Sequence, residues 1–148
     1  MRSRWSMMAK MANTDSRIFD IVRQRFVALT PEESVRQDVI RFLHHRLGYP
    51  LELMQVEASI SLNNLHKRCD IVVYSRDMRP LMIVECKKNG IPVDARVLDQ
   101  ASRYNMALQV PFLLLTNGVQ TVLLQVDYVK RELRQLAAIP AWSELNDI

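Results

Sequence analysis

"DIVVYSRDMRPLMIVECKK", residues 70–88, is two apolar runs joined by a polar turn. "DIVVY" and "LMIV" are apolar at consecutive positions, the pattern of strands at the centre of a sheet with helices over both faces. Asp70 nevertheless opens the first run, and Glu85, Lys87 and Lys88 interrupt and close the second, where a core strand ordinarily carries valine or isoleucine. A turn centred between Asp77 and Met78 sets Asp70 directly opposite Glu85 and Cys69 opposite Cys86. Side chains alternate along a strand, so Lys87 falls on the face of Glu85 and three charged groups converge at one end of the hairpin. Two carboxylates opposed in a partly buried sheet repel each other, and a hard divalent cation bound through oxygen removes that repulsion. The alternative is a purely structural salt bridge from Lys87 to either acid.

Upstream, "TPEESVRQDVIRFLHHRLGYP" (30–50) has the signals of a helix. Thr30 is the N-cap, Pro31 fits the first helical position, Glu33 completes a capping box, and Gly48 and Pro50 mark the end. Val35, Val39, Phe42, Leu43 and Leu47 recur at helical spacing, with Glu32 nearer the centre of this apolar face and Glu33 at its edge beside Gln37. "QVEASISL" (55–62) alternates, with Val56, Ala58, Ile60 and Leu62 on one side, and an Asn63-Asn64 turn follows. Strands over about 55–62, 67–74 and 81–87 then form a meander. "VDARVLDQASRYNMALQ" (93–109) is a second helix with a stripe of Val97, Leu98, Ala101, Tyr104 and Leu108, and "VPFLLLTNGVQTVLLQVDY" (110–128) is two strands around Asn117-Gly118. "RIFDIVRQRFVAL" (17–29) fits either a short helix or an extended lead-in, and "KRELRQLAAIPAW" (130–142) reads as a last helix or an irregular cover ended by Pro140. This order predicts an α/β domain of α+β type with a mixed sheet. The helix between the third and fourth strands makes that pair parallel neighbours.

At 148 residues the chain suits one domain, with a flexible extension over 1–16, a core over about 17–128 and a C-terminal cover over 129–148. Lys and Arg total 20 against 16 Asp and Glu, a net charge of +4 that leans toward phosphate-bearing partners. Arg36, Arg41, Arg46, Lys67 and Arg68 are general candidates for phosphate contact, or ordinary members of solvated faces. Cys69 and Cys86 lack metal-ligand spacing and read as small buried side chains, which suits a reducing cytoplasm. No apolar run approaches the length of a membrane span. The start, "MRSRWSMMAKM", lacks the apolar centre of a signal peptide, and its methionines leave the true start open. Trp5 and Trp142 fall outside the core.

The stretches "LTPEESVRQ", "GYP", "RCDIVVY", "PLMIVECK", "DQASRYNMAL" and "VPFLLLTNG", in that order between Phe19 and Tyr128, resemble the PD-(D/E)xK nuclease superfamily. Within it they are similar to stand-alone relatives of the N-terminal nuclease domain of type I restriction enzyme motor subunits. The resemblance implies a restriction-endonuclease-like αβββαβ core and a metal-dependent DNA endonuclease that hydrolyses phosphodiester bonds. It implies Asp70 and Glu85 as ligands of Mg²⁺ or Mn²⁺, joined by the backbone carbonyl of Cys86. Lys87 becomes the catalytic lysine that orients the attacking water or stabilises the phosphorane. Gln100 and Tyr104 match a Gln-x-x-x-Tyr motif of some nuclease branches, and their spacing puts both on one helix face. Gln100 would contact the substrate or the attacking water, while Tyr104 serves equally as a core aromatic. Glu33 adds an acid from the first helix or acts only as a cap. Cys69 stands where the motif has proline, which leaves the carboxylate available. No G-x-x-x-x-G-K-[ST] pattern occurs, so no ATP-driven motor is expected here, and a separate motor or specificity protein is an expected partner. DNA is the expected substrate, and a homodimer suits cutting of two strands. The alternatives are an inactive or partner-dependent nucleic-acid-binding module on the same fold, and a scaffold whose ion cluster is structural.

Overall fold

The computed structural model describes residues 16–145, so of the expected N-terminal extension only Ser16 is included, and Trp5 lies outside. The lead-in is extended: β1 (Arg17–Asp20) and β2 (Arg25–Ala28) form an antiparallel hairpin. Asp20 closes its turn by accepting the backbone N–H groups of Val22 and Arg23, the local hydrogen bonding that favours aspartate in turns.

Next, α1 (Pro31–Arg41) begins as expected, with Thr30 Oγ1 accepting the Glu33 N–H at 3.0 Å. The reciprocal half of the capping box is not made, because the Glu33 carboxylate turns inward to Arg23, Arg36 and Gln37. Glu33, expected at the edge of the apolar face, is buried, and Glu32 is exposed. A π-helical turn, Phe42–Arg46, carries the helix to Gly48, whose φ of +77° ends it. The wider turn rotates the apolar stripe: Ile40 and Leu43 are fully buried, while Phe42, expected inside, is 42% exposed.

The expected meander follows as β3 (Met54–Leu62), β4 (Leu65–Tyr74) and β5 (Pro80–Cys86). Lys87 falls one residue beyond β5 and donates its N–H to the Thr116 carbonyl at 2.8 Å. Then α2 (Ala95–Ala107), capped by the Asp94 side chain on the Val97 N–H, leads to β6 (Phe112–Thr116), and β7 (Thr121–Asp127) returns beside it. β5 and β6 are parallel, as the intervening helix requires. The tail corrects the expectation of a last helix: β8 (Glu132–Leu136) is an edge strand on β7, and only α3 (Trp142–Leu145) is helical. Four of the five β8 residues are exposed, so the segment lacks the apolar alternation that marks a strand in sequence. Trp142 packs on Tyr49 at 5.5 Å between ring centroids, and Tyr49 Oη donates to the Pro140 carbonyl. The result is a six-stranded mixed sheet in the order β3-β4-β5-β6-β7-β8, flanked by helices. Among the described residues, no helix is long and apolar enough to cross a membrane.

Two apolar cores cover the sheet. Val35 and Ile40 of α1, with Leu43 of the π-helical turn, pack with Ile71, Val73, Met82, Val84 and Leu114. Leu98, Ala101 and Tyr104 of α2 pack with Val72, Ile83, Leu113 and Leu124. The expected single face of Val56, Ala58, Ile60 and Leu62 is broken between these cores. Met54 and Val56 pack on the α1 side, whereas Ala58 and Ile60 pack on the α2 side, and their neighbours Ile71 and Cys69 divide in the same way. The register does not slip, since Val56 faces Ile71 and Ala58 faces Cys69. Glu57 makes the reversal: it lies between them with φ +53°, a left-handed conformation that costs a non-glycine residue about 1–2 kcal/mol.

Glu57→Gly and Glu57→Val both lose the glutamate's ion pairs, so the difference between them isolates the backbone. Glu57→Val is expected to be less stable than Glu57→Gly by about 1–3 kcal/mol in urea titrations. Equal stabilities would remove this dihedral as the cause of the reversal.

Candidate functional site

Asp70 stands at the reversal, where β4 and β5 cease to pair. Their ladder ends with Ile71 opposite Val84, and one further step in the same register brings Asp70 opposite Glu85, as the hairpin geometry predicts. Here the Asp70 carboxylate enters the ladder as an acceptor: Oδ2 takes the Cys86 N–H at 2.7 Å. Oδ1 takes Arg36 Nη2, from α1, at 3.1 Å. Arg36 thus holds one oxygen of Asp70 toward α1, while the carboxylate stays near enough to Glu85 to raise its pKa. The hairpin geometry did not foresee Arg36 as a member of this group of charges.

Arg36 and Arg41, grouped in sequence with residues of solvated faces, are both buried. Arg36 Nη1 also reaches Glu33 at 3.2 Å and Glu57 at 3.5 Å, while Arg41 donates to the Phe19 carbonyl. Arg23 extends the network from Glu33, at 2.7 Å, to Asp20 and Glu57. Burial by itself would raise the Asp20 pKa, but hydrogen bonds from Arg23 and Val22 outweigh it and hold the group below the usual carboxylate value. Sequence reasoning did not find Asp20 or Arg23, whose only signal is an Asp-x-x-Arg spacing that many turns share.

On the α2 side, Glu85, Lys87, Gln100 and Tyr104 line a recess of about 130 Å³ together with Lys67. Glu85 Oε1 is buried without a hydrogen-bond partner, and Lys67 Nζ stands 3.6 Å away. Burial pushes the Glu85 pKa up to about 7, with Lys67 opposing the rise and Asp70 adding to it. Lys67 also lies over the Tyr104 ring, 5.2 Å from its centroid. Unbroken alternation along β4 would have put Lys67 on the α1 side with Ile71 and Val73. Only the reversal delivers it to Glu85.

Cys69 and Cys86 are free and buried, as expected of small core side chains, and they pack into opposite cores. Burial pushes the Cys69 thiol up to about 12 and raises Cys86 as well, which keeps both in the thiol form. Asp70 and Glu85 are hard oxygen donors at one fork in the sheet. Oε1 of Glu85, buried and without a hydrogen bond, is the kind of atom a divalent cation satisfies. Among the described residues, no three acidic, histidine or cysteine side chains gather into a metal-binding group, and Glu33 is turned to the arginines instead. The set fits a hard cation whose remaining ligands are oxygens of other kinds, such as the Cys86 carbonyl, water or phosphate.

This fold and fork define a protein of the restriction-endonuclease-like α+β class. The chain belongs to the family described as type I restriction enzyme R protein N terminus (HSDR_N), whose model matches residues 31–140. Among solved structures it is similar to a fragment from Vibrio vulnificus YJ016 assigned to the HsdR subunit of a type I restriction enzyme. That match has 24% identity and a TM-score of 0.56 and covers 80% of this chain and 25% of that one. It is also similar to a protein from Anabaena variabilis ATCC 29413 described as a candidate nuclease belonging to DUF820, at 8% identity and a TM-score of 0.53, over 95% of this chain and 90% of that one. Both are likenesses of fold, and the chain spans about a quarter of the Vibrio fragment. No curated protein gives a significant match.

The raised pKa of Glu85 makes its ionisation a cost to the folded state. The cost is absent below the ordinary carboxylate pKa of 4.5, grows as pH rises, and is complete above about 7. In metal-free buffer, Glu85→Gln is expected to exceed the wild type in stability at pH 8 by on the order of 1–3 kcal/mol. Thermal melts at pH 8 and pH 4.5 check this, and the gain should vanish at the lower value. The same difference at both would show that ionisation of Glu85 is not the cause.

Proposed function

We propose that this chain is a metal-dependent DNA endonuclease that hydrolyses phosphodiester bonds. The observation that carries the reading is the fork: Asp70 held in the ladder by the Cys86 N–H, and Glu85 beside it with a buried oxygen that accepts no hydrogen bond, above a recess shared with Lys67, Lys87 and Gln100. Membership of a restriction enzyme family supports DNA as the substrate, and a fold shared with a protein described as a candidate nuclease supports hydrolysis.

Asp70 and Glu85, with the Cys86 carbonyl, would hold Mg²⁺ or Mn²⁺. When bound, the cation supplies Lewis acidity, lowering the pKa of water and neutralising charge on the phosphate. Asp70 is held in one orientation by its two donors, so little ordering is left for the reaction step. Lys87 donates a hydrogen bond from Nζ to the attacking water or to a non-bridging phosphate oxygen, where negative charge grows in the transition state. Gln100, exposed on α2, presents its amide to substrate or water at the mouth of the recess. Glu33 acts through Arg36, which it fixes in place. A cytoplasmic location belongs to the same proposal.

The grip of Arg36 on Asp70 favours a second reading, in which the chain is a nucleic-acid-binding module that stays inactive until a partner rearranges the fork. A motor protein, a specificity protein or a second copy of the chain would fill that role.

The test is cleavage of supercoiled, linear duplex and single-stranded DNA with Mg²⁺ or Mn²⁺. Asp70→Ala and Lys87→Ala are each expected to lower the rate at least about 100-fold. Cleavage that survives both substitutions overturns the proposal. Salt-sensitive DNA binding without cleavage under either metal moves the function to the second reading.

A further inference from the structure

We propose that Arg36 is the positioning residue of this fork and its built-in counter-charge, holding Asp70 in place while keeping divalent cations weakly bound until an anionic phosphodiester arrives with them. The inference rests on the fork being a metal centre, the reading given above.

A guanidinium is planar and always charged, with donors in a fixed fan. Arg36 spreads its two terminal nitrogens over three acids: Nη2 on Asp70 at 3.1 Å, and Nη1 on Glu33 at 3.2 Å and Glu57 at 3.5 Å. Its side chain is only 8% exposed, so solvent screens this charge weakly. Glu33 is itself locked, by Arg23 at 2.7 Å and by Gln37 Nε2 at 3.1 Å. Arg36 Nε is buried with no hydrogen-bond partner. The side chain is therefore arranged to serve its terminal contacts, at the cost of leaving one donor unsatisfied.

The acids of the fork already face cations: Arg36 meets Asp70, Glu33 and Glu57, and Lys67 stands 3.6 Å from Glu85. A divalent ion bound to Asp70 adds two positive charges beside a buried guanidinium that cannot move far. The repulsion is relieved when a phosphodiester enters with the ion, because its negative charge offsets that of the ion. Affinity for the cation alone is thus low by construction, and the orientation of Asp70 is kept for the moment when both components are present.

Calorimetric titration with Mn²⁺ alone, without nucleic acid, tests this. Arg36→Gln keeps a hydrogen-bond donor for the carboxylates but removes the charge, and it is expected to bind Mn²⁺ at least about 10-fold more tightly than the wild type. Arg36→Lys restores the charge and is expected to return affinity to within about 3-fold of the wild type. An Arg36→Gln protein that folds, by circular dichroism, and binds Mn²⁺ no more tightly than the wild type overturns the inference. If that variant does not fold, the wild type decides by side-chain NMR during Mg²⁺ titration, with the Cys86 amide reporting occupancy. The Arg36 Nε resonance is expected to shift as the site fills, and an unmoved resonance at saturation rejects the proposal. Unchanged Mn²⁺ affinity in Arg36→Gln alongside metal-dependent cleavage by the wild type removes this inference and leaves the nuclease reading standing. Absence of Mn²⁺ binding by both proteins, with no cleavage, removes both.

Discussion

A carboxylate oxygen that accepts a hydrogen bond within a β-ladder is the interaction on which the arrangement depends. The 2.7 Å bond from the Cys86 N–H to Asp70 Oδ2 stands where regular pairing between β4 and β5 ends, and it satisfies that N–H in place of a strand carbonyl. It is possible because β3 and β4 turn over at this level, with Glu57 in a left-handed conformation in the adjoining strand. One consequence is a fork that holds two acids at the end of an otherwise apolar hairpin. Another is the exchange of faces that carries Lys67 to Glu85 and Tyr104.

Burying this many acids is costly unless each finds a partner, and a buried ion pair typically does little better than an apolar pair of the same size. The network therefore contributes position more than stability. Its reach is wider than the fork: Asp20 and Arg23 come from the turn between β1 and β2 and act on Glu33, which fixes Arg36, which meets Asp70. That hairpin precedes the segment matched by the family model, residues 31–140, yet it is tied to the fork by charge and by the packing of Ile21 and Val22 against the α1-side core. Glu85 stands apart from this order, with a buried oxygen that accepts no hydrogen bond and meets only the Lys67 ammonium at 3.6 Å. A side chain left in that condition is better suited to a ligand than to the apoprotein.

Much of the fold was legible in the residues because its signals are local. Thr30 and Pro31 announce α1, consecutive apolar residues mark β4 and β5 as central strands, and a helix between β5 and β6 forces them parallel. The elements that escaped are those whose cues are weak or shared. β8 is an exposed edge with few apolar residues, β1 and β2 are four residues each, and the π-helical turn that exposes Phe42 has the composition of any helix. Glu33 illustrates the limit within the candidate site. Its spacing from Thr30 reads as a capping box, but only its N–H serves the cap, and its carboxylate belongs to the buried network.

The sequence by itself determined the order of elements from α1 to β7, the register that brings Asp70 and Glu85 to the same level, and the place of Lys87 on the face of Glu85. Periodicity, caps and turn chemistry act over a few residues, so a reader of the chain can follow them. Tertiary structure decided which cation meets which acid: Arg36 on Asp70 and Lys67 on Glu85. Those pairings depend on one positive φ at Glu57 and on how α1 packs across the sheet. Both arise from contacts between residues far apart in the chain, which no local pattern encodes.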